Sequence, residues 1–392
     1  MKFLTIFLSF VTFCQPIVIK TPLIWKRSQL IELLSYDKWH EHHEEYFISK
    51  ISWPRFNSVI TQHATDYSDV EYFANITIGT PQQHFLITLD TASSNLVVCG
   101  ISCMNCGDKQ KFDNGSSSTF VHDGRPWNMP FGRDHAKGVQ GNDTMRFGSE
   151  GSQQLVVPHT IVDIADYIPK SFLNYKNDGV VGLAFTSISV NGVLPPLINA
   201  INQGLLDQPL FTVYLEHRGL ADNVYGGLYT YGGIDTENCA EDIAYQPLSS
   251  VSFYQFQVLG LALGSYSIRR QYQAISSTAS GFIGGPKTIT NALASAAGAK
   301  YDEDEDLYWI DCDAHPAELE ITIGPNTYYV EPVNMMIRTN ATNNRCLFAL
   351  FEFESGGFGP SWVLGDPFLR QYCNIFDIGK QRIGFAKSKQ DM

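Results

Sequence analysis

The sequence is short of charge. Only 17% of its 392 residues are Asp, Glu, Lys or Arg, and acids outnumber bases 40 to 27, for a formal net charge of −13. A nucleic-acid binder needs a basic face to displace counterions from phosphates, so nucleic acid is excluded as an expected partner. Nowhere does the chain hold the ~18 uninterrupted apolar residues of a membrane helix. The apolar run from Phe3 to Phe13 behind Lys2 is too short to span a bilayer. With Thr12 and Cys14 at the small positions before a cut near Gln15, it predicts a signal peptide over residues 1–15. No greasy anchor precedes the tail Ser388 to Met392, which is also not a retention signal. The expected location is secreted, or an acidic lysosome-like compartment, with no membrane attachment. No G-x-S-x-G element is present. Cys103-Met104-Asn105-Cys106 has no second C-x-x-C and no suitably spaced His pair beside it, so neither a metal nor an organic cofactor is expected.

What is present is a large apolar fraction, 44%, enough for a folded core in two lobes. Eight cysteines occur, and Cys14 leaves with the signal. The remaining seven should mostly pair in an oxidising compartment, and the odd one stays free or joins another chain. Cys103–Cys106 is expected as a local disulfide. Asn75, Asn114, Asn142 and Asn340 head N-x-Ser/Thr glycosylation sequons, with Asn75 in an expected strand.

Residues 16–66 differ from the rest. Apolar residues at helical spacing, such as Leu30, Leu33 and Leu34, lie among clusters of Lys, Arg, His and Glu. His40-Glu41-His42-His43-Glu44-Glu45 reads as a solvated charged helix face, and Trp25, Trp39 and Trp53 read as anchors onto the body. The remainder is β-rich. Short runs such as Tyr72 to Ile78, His84 to Leu89 and Gln381 to Ala386 alternate apolar and polar residues between turn formers. Helical patterns interrupt at Leu194 to Gly204 and Ile289 to Ala297.

This body carries a weak internal repeat. Ile87-Thr88-Leu89-Asp90-Thr91-Ala92-Ser93 has the shape of Ala274-Ile275-Ser276-Ser277-Thr278-Ala279-Ser280. Each is followed by an apolar pair and a glycine, Val180-Val181-Gly182 and Val363-Leu364-Gly365. Asp90 lies 92 positions before Gly182, and Ser277 lies 88 before Gly365. A repeat this long is a duplicated lobe rather than a solenoid unit. By the repeat alone, Ser277 stands where the first half has Asp90.

These residues resemble the pepsin-like aspartic proteases. Asp90 to Leu96 looks like the family's first active-site motif, and Asp178 to Phe185 like its first-lobe core motif. Tyr231-Gly232-Gly233-Ile234-Asp235 resembles the strand crossing between lobes, and Trp362 to Arg370 the second-lobe core motif. Gly284-Gly285-Pro286-Lys287 and Ser355 to Pro360 look most like secreted gut-type members from nematodes. The resemblance implies a mostly β, bilobal fold with a deep cleft: a pro-segment over 16–66, an N-terminal lobe over 67–235 and a C-terminal lobe over 236–392. It implies a Cys312–Cys346 disulfide, with Cys239–Cys373 a further pair. The expected partners are an extended peptide or protein in the cleft and the chain's own pro-segment, in a monomer. Phe131 and Gly132 would sit in the flap, with Phe131 where the family has Tyr and with Arg133, Asp134 and His135 in place of small residues. Val97 stands where an aromatic is usual.

The family's chemistry uses two carboxylates about 3 Å apart, which cannot both ionise. The charged one takes a proton from water and the protonated one polarises the scissile carbonyl. Here the resemblance brings Asp90 to one position and Ser277 to the other. A hydroxyl holds a water or donates one hydrogen bond, but it exchanges no proton in acid. The expectation is a pseudoprotease that binds peptides without cutting them. The alternative is an active acid endopeptidase using Asp90 and a water held by Ser277. Ala92 and Ala279 replace the glycines of both turns, each adding a Cβ where the family brings backbones close. Thr91 and Thr278, kept from the family, are expected to brace the loops. Ser277 as a nucleophile would need an activating His, and no nearby sequence suggests one.

Overall fold

The computed structural model describes residues 19–24, 69, 71–131, 134–221, 224–339, 344–355 and 359–390. Strands dominate, as the alternation requires. In Gln83–Asp90, for example, Phe85, Ile87 and Leu89 are buried, while His84 and Leu86 face outward between them. A 14-stranded sheet builds the first half and the base of the molecule; sheets of six, four and four strands build the second half. The result is the mostly β, bilobal pepsin-like architecture.

The repeat seen in the sequence is a repeat of strand pairing. Gln83–Asp90 runs parallel to Gly179–Gly182, with Asp90 opposite Gly182. Tyr272–Ser276 runs parallel to Trp362–Leu364, with Ser276 opposite Leu364. The sequence offsets of 92 and 88 are therefore the registers of two equivalent parallel ladders. Gly182 and Gly365 play the same part in each. A Cβ on Gly182 would fall on the backbone of Ser94, and one on Gly365 on the carbonyls of Ser280 and Phe282.

The two halves share their base. Leu210–Leu215 pairs with Tyr225–Tyr231 on one side and with Tyr372–Asp377 on the other, and Tyr372–Asp377 pairs in turn with Arg382–Lys387. The last strands of the chain thus return to the sheet of the first half. Phe211 stacks on Phe376 at 4.6 Å between centroids, and one apolar core runs from Tyr72 to Phe385. The crossing at Tyr231 to Asp235 turns on Gly232 at φ +79°, and buried Asp235 accepts the N–H groups of Glu237 and Asn238. Arg370 is fully buried, donating to Asn334 Oδ1 at 3.0 Å, to the Asn334 carbonyl at 2.8 Å and to the carbonyl of Asp69.

Both helical patterns are found, as Pro196–Asn202 and Lys287–Ala297. The second stops at Gly298, whose φ of +86° suits a left-handed cap. The reading of 16–66 as helical needs correction over its described part. Ile19–Ile24 is a strand, antiparallel to Tyr225–Tyr231 and touching Phe73 through Ile24. Pro22 in its middle would break a helix, whereas the extended segment fills an open place in the sheet. Leu30, Leu33, Leu34, the His40–Glu45 run, Trp25, Trp39 and Trp53 lie outside the described residues.

The Cys312–Cys346 and Cys239–Cys373 disulfides are formed. Cys103 reaches Cys106 as expected, but Cys99 reaches it too. No helix among the described residues is long and apolar enough to cross a membrane.

Candidate active site

Asp90 is the last residue of its strand, and Ser277 follows directly on Ser276 at the end of the equivalent strand. The ladders therefore deliver both side chains at corresponding turns, where the halves meet. Two threonines join these turns. The Thr91 N–H donates to Thr278 Oγ1 at 3.0 Å and the Thr278 N–H to Thr91 Oγ1 at 3.1 Å. Each hydroxyl then donates across to the opposite strand end, Thr91 to the Ser276 carbonyl at 2.8 Å and Thr278 to the Leu89 carbonyl at 2.6 Å. All four groups are buried, so breaking one leaves an orphan that costs about 1–3 kcal/mol.

The next residues repeat the symmetry with one difference. The Ala92 N–H donates to Asp90 Oδ1 at 2.7 Å, and the Ala279 N–H to Ser277 Oγ at 3.4 Å. Ala92 and Ala279 are buried, and neither has a positive φ. The turns therefore make no demand for glycine's conformational freedom. Ser93 is also buried, its hydroxyl unpaired.

Asp90 is 1% exposed. Burial pushes its pKa up to about 6, against the lowering pull of the Ser93 hydroxyl and the Ala92 N–H. The Ser93 hydroxyl lies near but makes no hydrogen bond of ordinary geometry, and Oδ2 accepts from no described residue. Among the described residues, no other carboxyl group contributes to the shift. Its cause is desolvation of a single acid, not repulsion between two.

Above this floor a long hairpin pairs Val121–Phe131 with Asp134–Phe147, so that Phe131 faces Asp134 across its tip. Gly132 and Arg133 lie outside the described residues. Asp134 accepts from the Tyr167 hydroxyl at 3.3 Å, and the His135 ring stacks on Tyr167 at 5.3 Å.

Residues 71–388 match the family described as eukaryotic aspartyl protease. Aspartic protease 6 of Caenorhabditis elegans is 51% identical over 369 residues, 94% of this chain and 94% of its own. Aspartic protease 2 of Necator americanus is 36% identical, over 95% and 96% of the two chains. Pepsin A of Bos taurus is 32% identical, over 94% and 99%. The chain is a pepsin-like aspartic protease family member.

Of this family member's expected sites, Asp178 proves to be a loop clamp. Its carboxylate accepts the N–H groups of Leu86 and Gln110, each at 2.9 Å. Asn114 lies on a short 3₁₀ turn, and Asn142 and Asn75 lie in strands with partly exposed side chains. Asn340 is outside the described residues. Two residues near the site were not singled out in the sequence. Asp163 is buried and accepts from Asn95 Nδ2 and Gln140 Nε2, both at 2.7 Å; Asn95 Oδ1 in turn holds the Val190 N–H. Burial raises Asp163 to about 7, against its two amide donors and Arg125. It is a single acid in the apolar run Ile161 to Ala165, and that was the available signal. Tyr167, which grips the hairpin tip, carried no such mark.

Proposed function

We propose that this protein is a secreted pepsin-like homologue that holds extended peptides in its cleft and cuts them poorly or not at all. The observation that carries this is Ser277 at the turn matching that of Asp90, with no second carboxyl group among the described residues acting on Asp90. Peptide hydrolysis in this family needs one acid to deprotonate water while its neighbour protonates or polarises the carbonyl. Asp90 alone does one task or the other, according to its protonation state. Acid–base participation by one group is worth about 10²–10⁴ in rate, and groups acting as a unit fail together. A deficit of at least about 10³ follows. Extended peptides would be held by strand-like backbone hydrogen bonds and side-chain pockets, which need no acid pair.

Residues 16–66 are read as a pro-segment that this chain does not remove by its own cleavage. The strand Ile19–Ile24 supports that reading, because it is built into the sheet by its main chain. A second reading, an acid endopeptidase that uses Asp90 with a water held by Ser277, is favoured by the intact threonine brace.

The test is incubation of the purified protein with denatured globin at pH 3–5. No cleavage above that of an Asp90→Asn control is expected. Cleavage that a statine-type inhibitor blocks and Asp90→Asn abolishes would overturn the proposal in favour of the second reading.

A further inference from the structure

With Cys239–Cys373 and Cys312–Cys346 formed and Cys14 in the signal, three cysteines remain, and they converge. The sulfurs of Cys99, Cys103 and Cys106 all lie within 4.8 Å of one another, and all three residues are buried. Cys106 is the shared partner. Its Cα is 6.4 Å from that of Cys99 and 5.7 Å from that of Cys103, both inside the range a disulfide spans. One sulfur makes one disulfide, so one of the other two is always left as a thiol.

We propose that Cys99, Cys103 and Cys106 form a three-sulfur exchange site, in which one disulfide alternates between Cys103–Cys106 and Cys99–Cys106. In one direction the Cys99 thiolate attacks Cys106 Sγ and a new S–S bond forms. The Cys103–Cys106 bond breaks, its electron pair leaves on Cys103, and that sulfur takes up a proton in place of the one Cys99 lost. The step is an isomerisation that consumes neither oxidant nor reductant. The two forms differ in shape. Pairing at Cys103 closes a tight local loop and leaves the Cys99 thiol in the wall of a small cavity, about 40 Å³, with Ala136 of the flap hairpin and Val180. Pairing at Cys99 ties that loop to Leu96–Gly100, the strand that leads out of the Asp90 turn, and frees Cys103. The charged groups around the cluster are Lys109 and Asp178, on the same cavity, Lys111, whose ammonium donates to the Cys103 carbonyl, and Asp166, held by the Ser102 hydroxyl.

The attacking species is a thiolate, and an ordinary thiol has a pKa of about 8.5. Exchange should therefore run at pH 8 and slow about 10³-fold by pH 5, which allows it to be trapped. The full secreted chain is incubated at pH 8 or pH 5, denatured in guanidinium at pH 4 with N-ethylmaleimide, and the label is located by peptide mass spectrometry. One label per chain is expected, divided between Cys99 and Cys103, with the division changing during incubation at pH 8 and fixed at pH 5. Label confined to one cysteine under both conditions, no label, or three labels with a bound soft metal such as zinc would each overturn the proposal. A Cys103→Ser variant gives an independent reading. It should carry Cys99–Cys106 and take no label, and two labels would contradict the exchange.

Discussion

The turn after Gln83–Asp90 and the turn after Tyr272–Ser276 have the same parallel ladder beneath them, the same glycine pressed against them and mirror-image threonine bonds between them. They differ in what the first side chain can do with a proton. Asp90 carries a carboxyl group whose burial lifts it to about 6, whereas Ser277 carries a hydroxyl that accepts a 3.4 Å bond from Ala279 and does not titrate in this range. The scaffold's bonds run through Thr91 and Thr278, so geometry and stability do not depend on having an acid at both turns. Chemistry does, because two close acids force each other into different protonation states and one acid has nothing to be forced by.

The largest change expected comes from making the turns alike. Ser277→Asp should raise acid proteolysis by at least about 10³ above the wild-type level, measured on denatured globin at pH 3–5. An unchanged rate in a folded variant would mean that the difference between the loops is not what limits activity.

Next is the pH dependence of stability. Asp90 binds its proton more tightly folded, at about 6, than at its ordinary value of 3.8. The folded state is therefore favoured most below about pH 4 and loses stability as pH rises through 6, by up to about 3 kcal/mol from this group. Asp163, raised to about 7, adds a loss of the same sign. Denaturant unfolding from pH 4 to 7 should show this decline, reduced in Asp90→Asn and unaltered in Ser277→Ala.

The shared brace should be symmetric. Thr91→Val and Thr278→Val each remove a hydroxyl that both donates and accepts, and each should cost about 2 kcal/mol in denaturant unfolding. The double variant should cost less than the sum, since the bonds are reciprocal. A clear asymmetry would show that one lobe holds the other. The smallest effect is expected at the alanines. Ala92→Gly and Ala279→Gly should each destabilise by about 0.5–1 kcal/mol, because neither turn uses a positive φ.

Much of this was legible because duplication writes itself into the sequence twice. The offsets between Asp90 and Gly182, and between Ser277 and Gly365, mark a duplicated lobe, the structure shows them to be the registers of two parallel ladders, and the threonines mark the brace. Long-range placement was not legible. The proximity of Cys99 to Cys106 depends on how the loop after Gly100 folds back, and the clasp of Asp163 on Asn95 joins two residues 68 positions apart. The strand Ile19–Ile24 was hidden by the helical spacing that follows it, although Pro22 argued against a helix.

The account rests on Asp90 titrating alone. A difference infrared titration of the carboxyl band, wild type against Asp90→Asn, measures this directly. A single transition near pH 6 is predicted. Two linked transitions on either side of it would show an acid partner sharing Asp90's proton and would contradict the account.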